Sequence, residues 1–130
     1  MNELKWVGFI AEEDRSRHAV SYAAFVAQLV DAPAEAVAQA VGFLSRGTVV
    51  LALMGFFVDQ ETGQEVAPKL YYTDGQWIWP SYLAYYLNKR QQLLPGGFCA
   101  HTQVPATALP DLRAVQDALL ASFDNLTYPA

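Results

Sequence analysis

Cys99 and His101 stand two residues apart. On a strand that spacing puts both side chains on one face, where a thiol and an imidazole can meet. Such a pair begins a nucleophilic centre, but the centre also needs a group to orient the base and donors for an oxyanion. The pair follows the turn signal Pro95-Gly96-Gly97, and nothing beside it supplies either part. With His18, these two are the only soft or imidazole ligands in the chain. A structural zinc site takes four ligands, so no metal is expected. Cys99 reads as a buried thiol and His101 as an exposed histidine.

The acids come next. Asp59, Glu61, Glu65 and Asp74 fall in or beside two polar turns. General acid–base catalysis needs a carboxylate whose pKa is raised by an apolar pocket. Turn positions are solvated, and charge there discourages edge pairing of strands. A contact with a partner protein is the functional alternative for these four. Trp77 and Trp79 share one side of a strand, and tryptophans so placed can stack on a sugar or anchor a partner. Beside a helix-opening proline they more often lock a strand to a helix. Neither Gly-x-Ser-x-Gly nor a phosphate-cradling loop is present. The chain is therefore expected to be no enzyme and to need no cofactor.

The elements that must position these residues follow from periodicity. Three acids, Glu12-Glu13-Asp14, suit the first turn of a helix. Val20, Ala23, Ala24, Ala27 and Val30 recur at helical spacing, which predicts a helix over 13–30. Pro33 fits the first turn of a second helix, over 33–46, with Gly47 as its stop. The run at 48–58 is apolar on both faces and predicts a central strand covered on both sides. A second strand is expected over 65–73, with Pro68 marking a bulge or edge. Asp74-Gly75 predicts a two-residue type I′ hairpin turn into a third strand over 76–79. Pro80 opens a helix over 80–90 that ends in Lys89 and Arg90, and a last helix spans 110–124. The expected fold is α+β: an antiparallel three-stranded meander at about 48–79, packed with an N-terminal helical hairpin and two C-terminal helices.

Length and composition bound the rest. A chain of 130 residues fits one domain, 1–130, that buries roughly two-thirds of its unfolded surface. Hydrophobic residues are 53% and charged residues 16%, so the chain is core-rich. The net charge of −5, with eight Lys and Arg and no basic run, speaks against nucleic-acid binding. The ten-residue apolar run at 49–58 is half of the ~20 that a membrane helix needs. One cysteine allows no internal disulfide, and the first residues lack a signal-peptide pattern. The cytoplasm is the expected compartment.

Thr73-Asp74-Gly75-Gln76-Trp77-Ile78-Trp79-Pro80, then Leu83-Ala84-Tyr85-Tyr86-Leu87, then Leu94-Pro95 and Phe98, form a cassette. It resembles a group of small bacterial proteins with a Thr-Asp-Gly-x-Trp-x-Trp-Pro turn, a Leu-x-Tyr-Tyr helix and a Leu-Pro-x-x-Phe stretch. Many of these look like immunity proteins encoded beside polymorphic or type VI toxins. The match covers roughly residues 48–101 and contains no active site. It implies a protein that binds a cognate protein toxin and occludes it stoichiometrically. Asp59, Glu61, Glu65 and Asp74 would then be contacts, with Tyr72 and Tyr82 among the anchors. The alternatives are a small-ligand or sugar-binding module using Trp77 and Trp79, and a homodimeric scaffold or regulator joined through the alanine-rich helices.

Overall fold

Residues 48–80 are dense in β-branched and aromatic side chains, which favour a pleated, half-buried surface. The computed structural model describes residues 5–14, 16, 18–95 and 112–122, and there this region forms three strands. In chain order the elements are β1 (Lys5–Trp6), α1 (Tyr22–Gln28), β2 (Val30–Asp31), α2 (Ala34–Ser45) and β3 (Thr48–Val58). Then come β4 (Glu65–Thr73), β5 (Trp77–Pro80), α3 (Tyr82–Arg90), β6 (Gln92–Leu93) and α4 (Leu112–Ser122). The fold is mixed α+β, with four helices among the described residues.

The main sheet has the order β1-β5-β4-β3. β3 pairs antiparallel with β4, and β4 antiparallel with β5. β1 adds a fourth strand, parallel to β5, with Lys5 opposite Trp77 and Trp6 opposite Ile78. The sheet is thus four-stranded and mixed, where the sequence predicted three antiparallel strands. A separate two-stranded sheet pairs β2 with β6. That short strand sits between α1 and α2, and α2 has α3 as its helical neighbour. The expected N-terminal helical hairpin is replaced by this arrangement.

The core is aromatic. Trp79, Tyr71, Tyr82, Tyr86, Phe9, Phe25 and Phe57 are all essentially buried, with Ile78, Leu83 and Leu87 among them. The Phe57 and Tyr82 rings meet edge to face at 4.6 Å, a favoured aromatic geometry. α2 contributes Val37, Ala40, Phe43 and Leu44, and α4 contributes Val115 and Leu119.

Four local expectations are corrected. First, the helix predicted over 13–30 is confined to Tyr22–Gln28. The described residues between 10 and 20 are not helical, and a parallel bridge joins Ile10 to Val20. Asp14 turns inward there to meet two tyrosines, a tertiary bond that helical periodicity does not register. Ser21 caps α1 by accepting from the Ala24 amide, and Glu12 accepts from the Tyr22 amide at 2.8 Å. Of the three acids only Glu12 serves the helix start, from ten residues away, and none lies in its first turn. Second, among the described residues β3 is an edge strand and not a central one. Third, Asp74 to Gln76 make a three-residue connection in which only Gly75 has positive φ, so the turn is not type I′. The Asp74 carboxylate holds it by accepting from the Gln76 and Trp77 amides. Fourth, Pro80 ends β5 and does not open α3, whose N-cap is Ser81.

Candidate functional site

The predicted acids separate once they are placed. Asp59 follows β3 directly, and its carboxylate has no exposed surface. Its Oδ1 accepts from the Glu61 amide at 2.7 Å and the Thr62 amide at 3.1 Å. Its Oδ2 accepts from Lys89 Nζ at 2.6 Å and from the Tyr85 hydroxyl. Burial alone opposes the charge most strongly, yet Lys89, Tyr85 and the two amides together hold this carboxyl well below the usual carboxylate range. The cover is the turn itself and the side chains of α3, not deep core. Asp59 therefore fastens the β3–β4 turn to α3 and offers no surface to a partner.

Glu61 extends the same network in the open. It lies 3.6 Å from Lys89 and 3.3 Å from Arg90, and it accepts from the Tyr22 hydroxyl of α1. Those contacts lower its pKa, the Tyr22 bond most and Lys89 next. Tyr86 ties in from below, accepting from the Gln60 amide at 2.9 Å. Burial pushes its hydroxyl up to about 12. Glu65 is exposed at the start of β4, paired with Val58. Asp74 is half-buried and engaged in its turn. Tyr72 is half-buried and packs along Trp79. Tyr82 is wholly buried. Of the six predicted contacts, only Glu61 and Glu65 are exposed.

A second buried carboxyl is one the sequence reading assigned to a helix start. Asp14 is 4% exposed. It accepts from the Tyr71 hydroxyl and, at 2.7 Å, from Tyr82, whose oxygen accepts in turn from the Ile10 amide at 2.7 Å. Burial raises its pKa from 3.8 to about 6, against the two tyrosine bonds that lower it. A raised carboxyl can serve as an acid or base, but this one faces core side chains rather than a cleft. It reads as a structural knot joining the segment between 10 and 20 to β4 and α3.

The edge strand carries an unforeseen surface. Met54 is 97% and Phe56 53% exposed, with Val49 also open. The register slips between Ala52 and Phe56, where one residue of β4 faces three of β3. Gly55 in that bulge has φ +99°. Gln116 of α4 donates to the Val50 carbonyl at 2.9 Å and closes the edge at that point. A bulge of this kind turns side chains outward and interrupts strand pairing.

The tryptophans also part company. Trp79 is 1% exposed, packs against Phe43 and donates to the Leu44 carbonyl at 3.3 Å. Trp77 is half-buried and lines a cleft of about 260 Å³ with Trp6, Phe9, His18 and Gln28. Trp79 locks β5 to α2, the role the sequence favoured for both rings, and the alternative two-tryptophan platform is not formed because α2 covers one of them. Cys99, His101 and Phe98 lie outside the described residues. Among the described residues no three His, Cys, Asp or Glu side chains gather as metal ligands, and no helix is long and apolar enough to cross a membrane. No family model matches the chain, and no curated protein or solved structure is similar to it.

Proposed function

We propose that the chain is an immunity protein that binds a cognate bacterial toxin in the producer's cytoplasm and neutralises it by stoichiometric occlusion. The observation that carries this reading is the outer edge of β3, where Met54 and Phe56 are exposed on a strand that, among the described residues, is paired on one side only. Exposed large apolar side chains on an edge strand suit a protein partner, which can cover them and pair with the backbone. Glu61 and Glu65 lie at the tip of the same hairpin, and the net charge is −5. Apolar anchors beside acids suit a basic target, such as a toxin with a nucleic-acid cleft. The Thr-Asp-Gly-x-Trp-x-Trp-Pro cassette supports the same reading by resemblance. Its residues are used here for turn and core, which fits a role without chemistry of its own.

The test is co-purification of the tagged protein with the product of the adjacent gene, followed by mass spectrometry and a toxin assay. A stable equimolar complex that abolishes toxicity is expected. The double variant Met54→Asp, Phe56→Asp should stay folded and weaken binding by about a hundredfold. A protein that is recovered alone and protects no cell from the neighbouring product sinks the neutralisation reading. A complex indifferent to the double variant would leave neutralisation standing and remove the β3 edge as its surface.

A further inference from the structure

The cleft beside β1 is built by parts of the chain far apart in sequence. Trp6 and Phe9 come from β1 and the segment after it, His18 from the segment between 10 and 20, Gln28 from the end of α1 and Trp77 from β5. Trp6 and His18 lie face to face, ring centres 4.2 Å apart and planes 6° from parallel. Phe9 meets Trp6 edge to face at 5.7 Å and is itself buried, so it makes a fixed wall. Three aromatic rings thus hold one another in place around an opening, with Trp77 as the fourth. None of this surrounds the β3 edge, so the cleft stands apart from the surface argued above.

From this geometry we infer that the cleft is a binding site for a small, planar heteroaromatic ring of nucleobase or indole size that carries no positive charge. Three features set that class. The volume of about 260 Å³ falls just under the ~300 Å³ lower end of drug-sized sites, which suits one or two fused rings. The lining carries no Asp or Glu among the described residues, so a cation would lose water and find no counter-charge. Lys5 already holds its ammonium over the Trp77 ring, 5.3 Å from the centre, and disfavours a second cation there. The polar side chains of the lining are His18 and Gln28. So sparsely polar a lining suits the few edge donors and acceptors of a heterocycle. A sugar ring, with a hydroxyl on most carbons, would bury more polar groups than they can satisfy. Stacking is the attraction the walls already display between Trp6 and His18.

The test is a proton–nitrogen NMR titration of the full chain with adenine and with indole. Methyl β-glucoside serves as the non-planar control and tetramethylammonium as the cationic one. At least one planar probe should saturate with Kd at or below about 1 mM. Shifts should centre on the indole N–H groups of Trp6 and Trp77 and on His18 and Gln28. His18→Ala, which removes a ring stacked on Trp6, and Gln28→Ala should each weaken that probe about fivefold or more, and Gln28→Ala, at an exposed position, should leave melting unchanged. Failure of both planar probes to saturate, shifts centred elsewhere, equal binding of either control, or full affinity in both variants would overturn the assignment.

Discussion

Asp59 illustrates how a polar loop residue becomes structural. Four donors converge on its two oxygens, one from a lysine. Asp59→Ala would leave Lys89, the Tyr85 hydroxyl and two amides without their acceptor. A loss of about 2 kcal/mol is expected in urea unfolding, discounted because water can reach the vacated site. The lowered pKa sets the sign with acidity. This contribution is complete above the ordinary carboxylate pKa of 3.8 and is lost only as pH falls below it. Asp14 acts with the opposite sign. Its folded pKa of about 6 exceeds 3.8, so the folded state holds the proton more tightly. Its favourable contribution is full below pH 3.8 and is lost as pH rises through about 6, by about 3 kcal/mol in all. Asp14→Asn should flatten that stretch of the stability profile. Denaturation midpoints at pH 4, 5, 6 and 7 in parent and variant would check it; parallel curves would exclude Asp14 as the source.

At the scale of elements, glycines decide two junctions. The sequence marks Gly47 as a helix stop, but the C-cap of α2 is Arg46 and Gly47 has no positive φ. Its small size is what matters. A Cβ at Gly47 would come 2.5 Å from Trp79 Cζ2 and 3.1 Å from Tyr72 Cβ. Both neighbours are held in place, so Gly47→Ala should cost about 1–3 kcal/mol through overpacking and lower the melting temperature. Gly55 is the reverse case. A Cβ there meets nothing closer than Lys69 Cε at 4.0 Å, but φ is +99°. Gly55→Ala is expected to cost about 1–2 kcal/mol through backbone strain alone. Retained stability would mean that the β3 bulge relaxes. The prediction of β3 as a central strand failed for a related reason. An apolar run on both faces is the pattern of a strand buried on both sides, and it is equally the pattern of an edge strand meant to be covered by something else.

For the molecule as a whole, charge sets the expected behaviour of a complex. With net charge −5 and acids at the β3–β4 tip, association with a basic toxin should slow as salt rises, while dissociation changes little. Stopped-flow rates at low and physiological salt would read this. Glu61→Gln with Glu65→Gln should reduce the salt slope without unfolding the chain; an unchanged slope would place the electrostatic contact elsewhere. Glu61 also joins α1, α3 and the β3–β4 turn, so the variant's melting must be followed beside its kinetics.

Sequence alone determined what depends on neighbours along the chain. The spans of β3 and β4, the second helix and the turn at Asp74 were legible because period-two patterning, proline placement and turn residues act locally. Tertiary structure decided whatever depends on residues far apart in sequence. It drew Asp14 out of a predicted helix to Tyr71 and Tyr82, 57 and 68 positions away. It set β1 beside β5, which no local signal specifies, and so created the aromatic cleft. It placed Trp79 under α2 and left Trp77 at an opening, although both share one strand face by alternation. The same force governs both tryptophans: each ring leaves water where a neighbour can cover it, and the packed chain decides which neighbour is there.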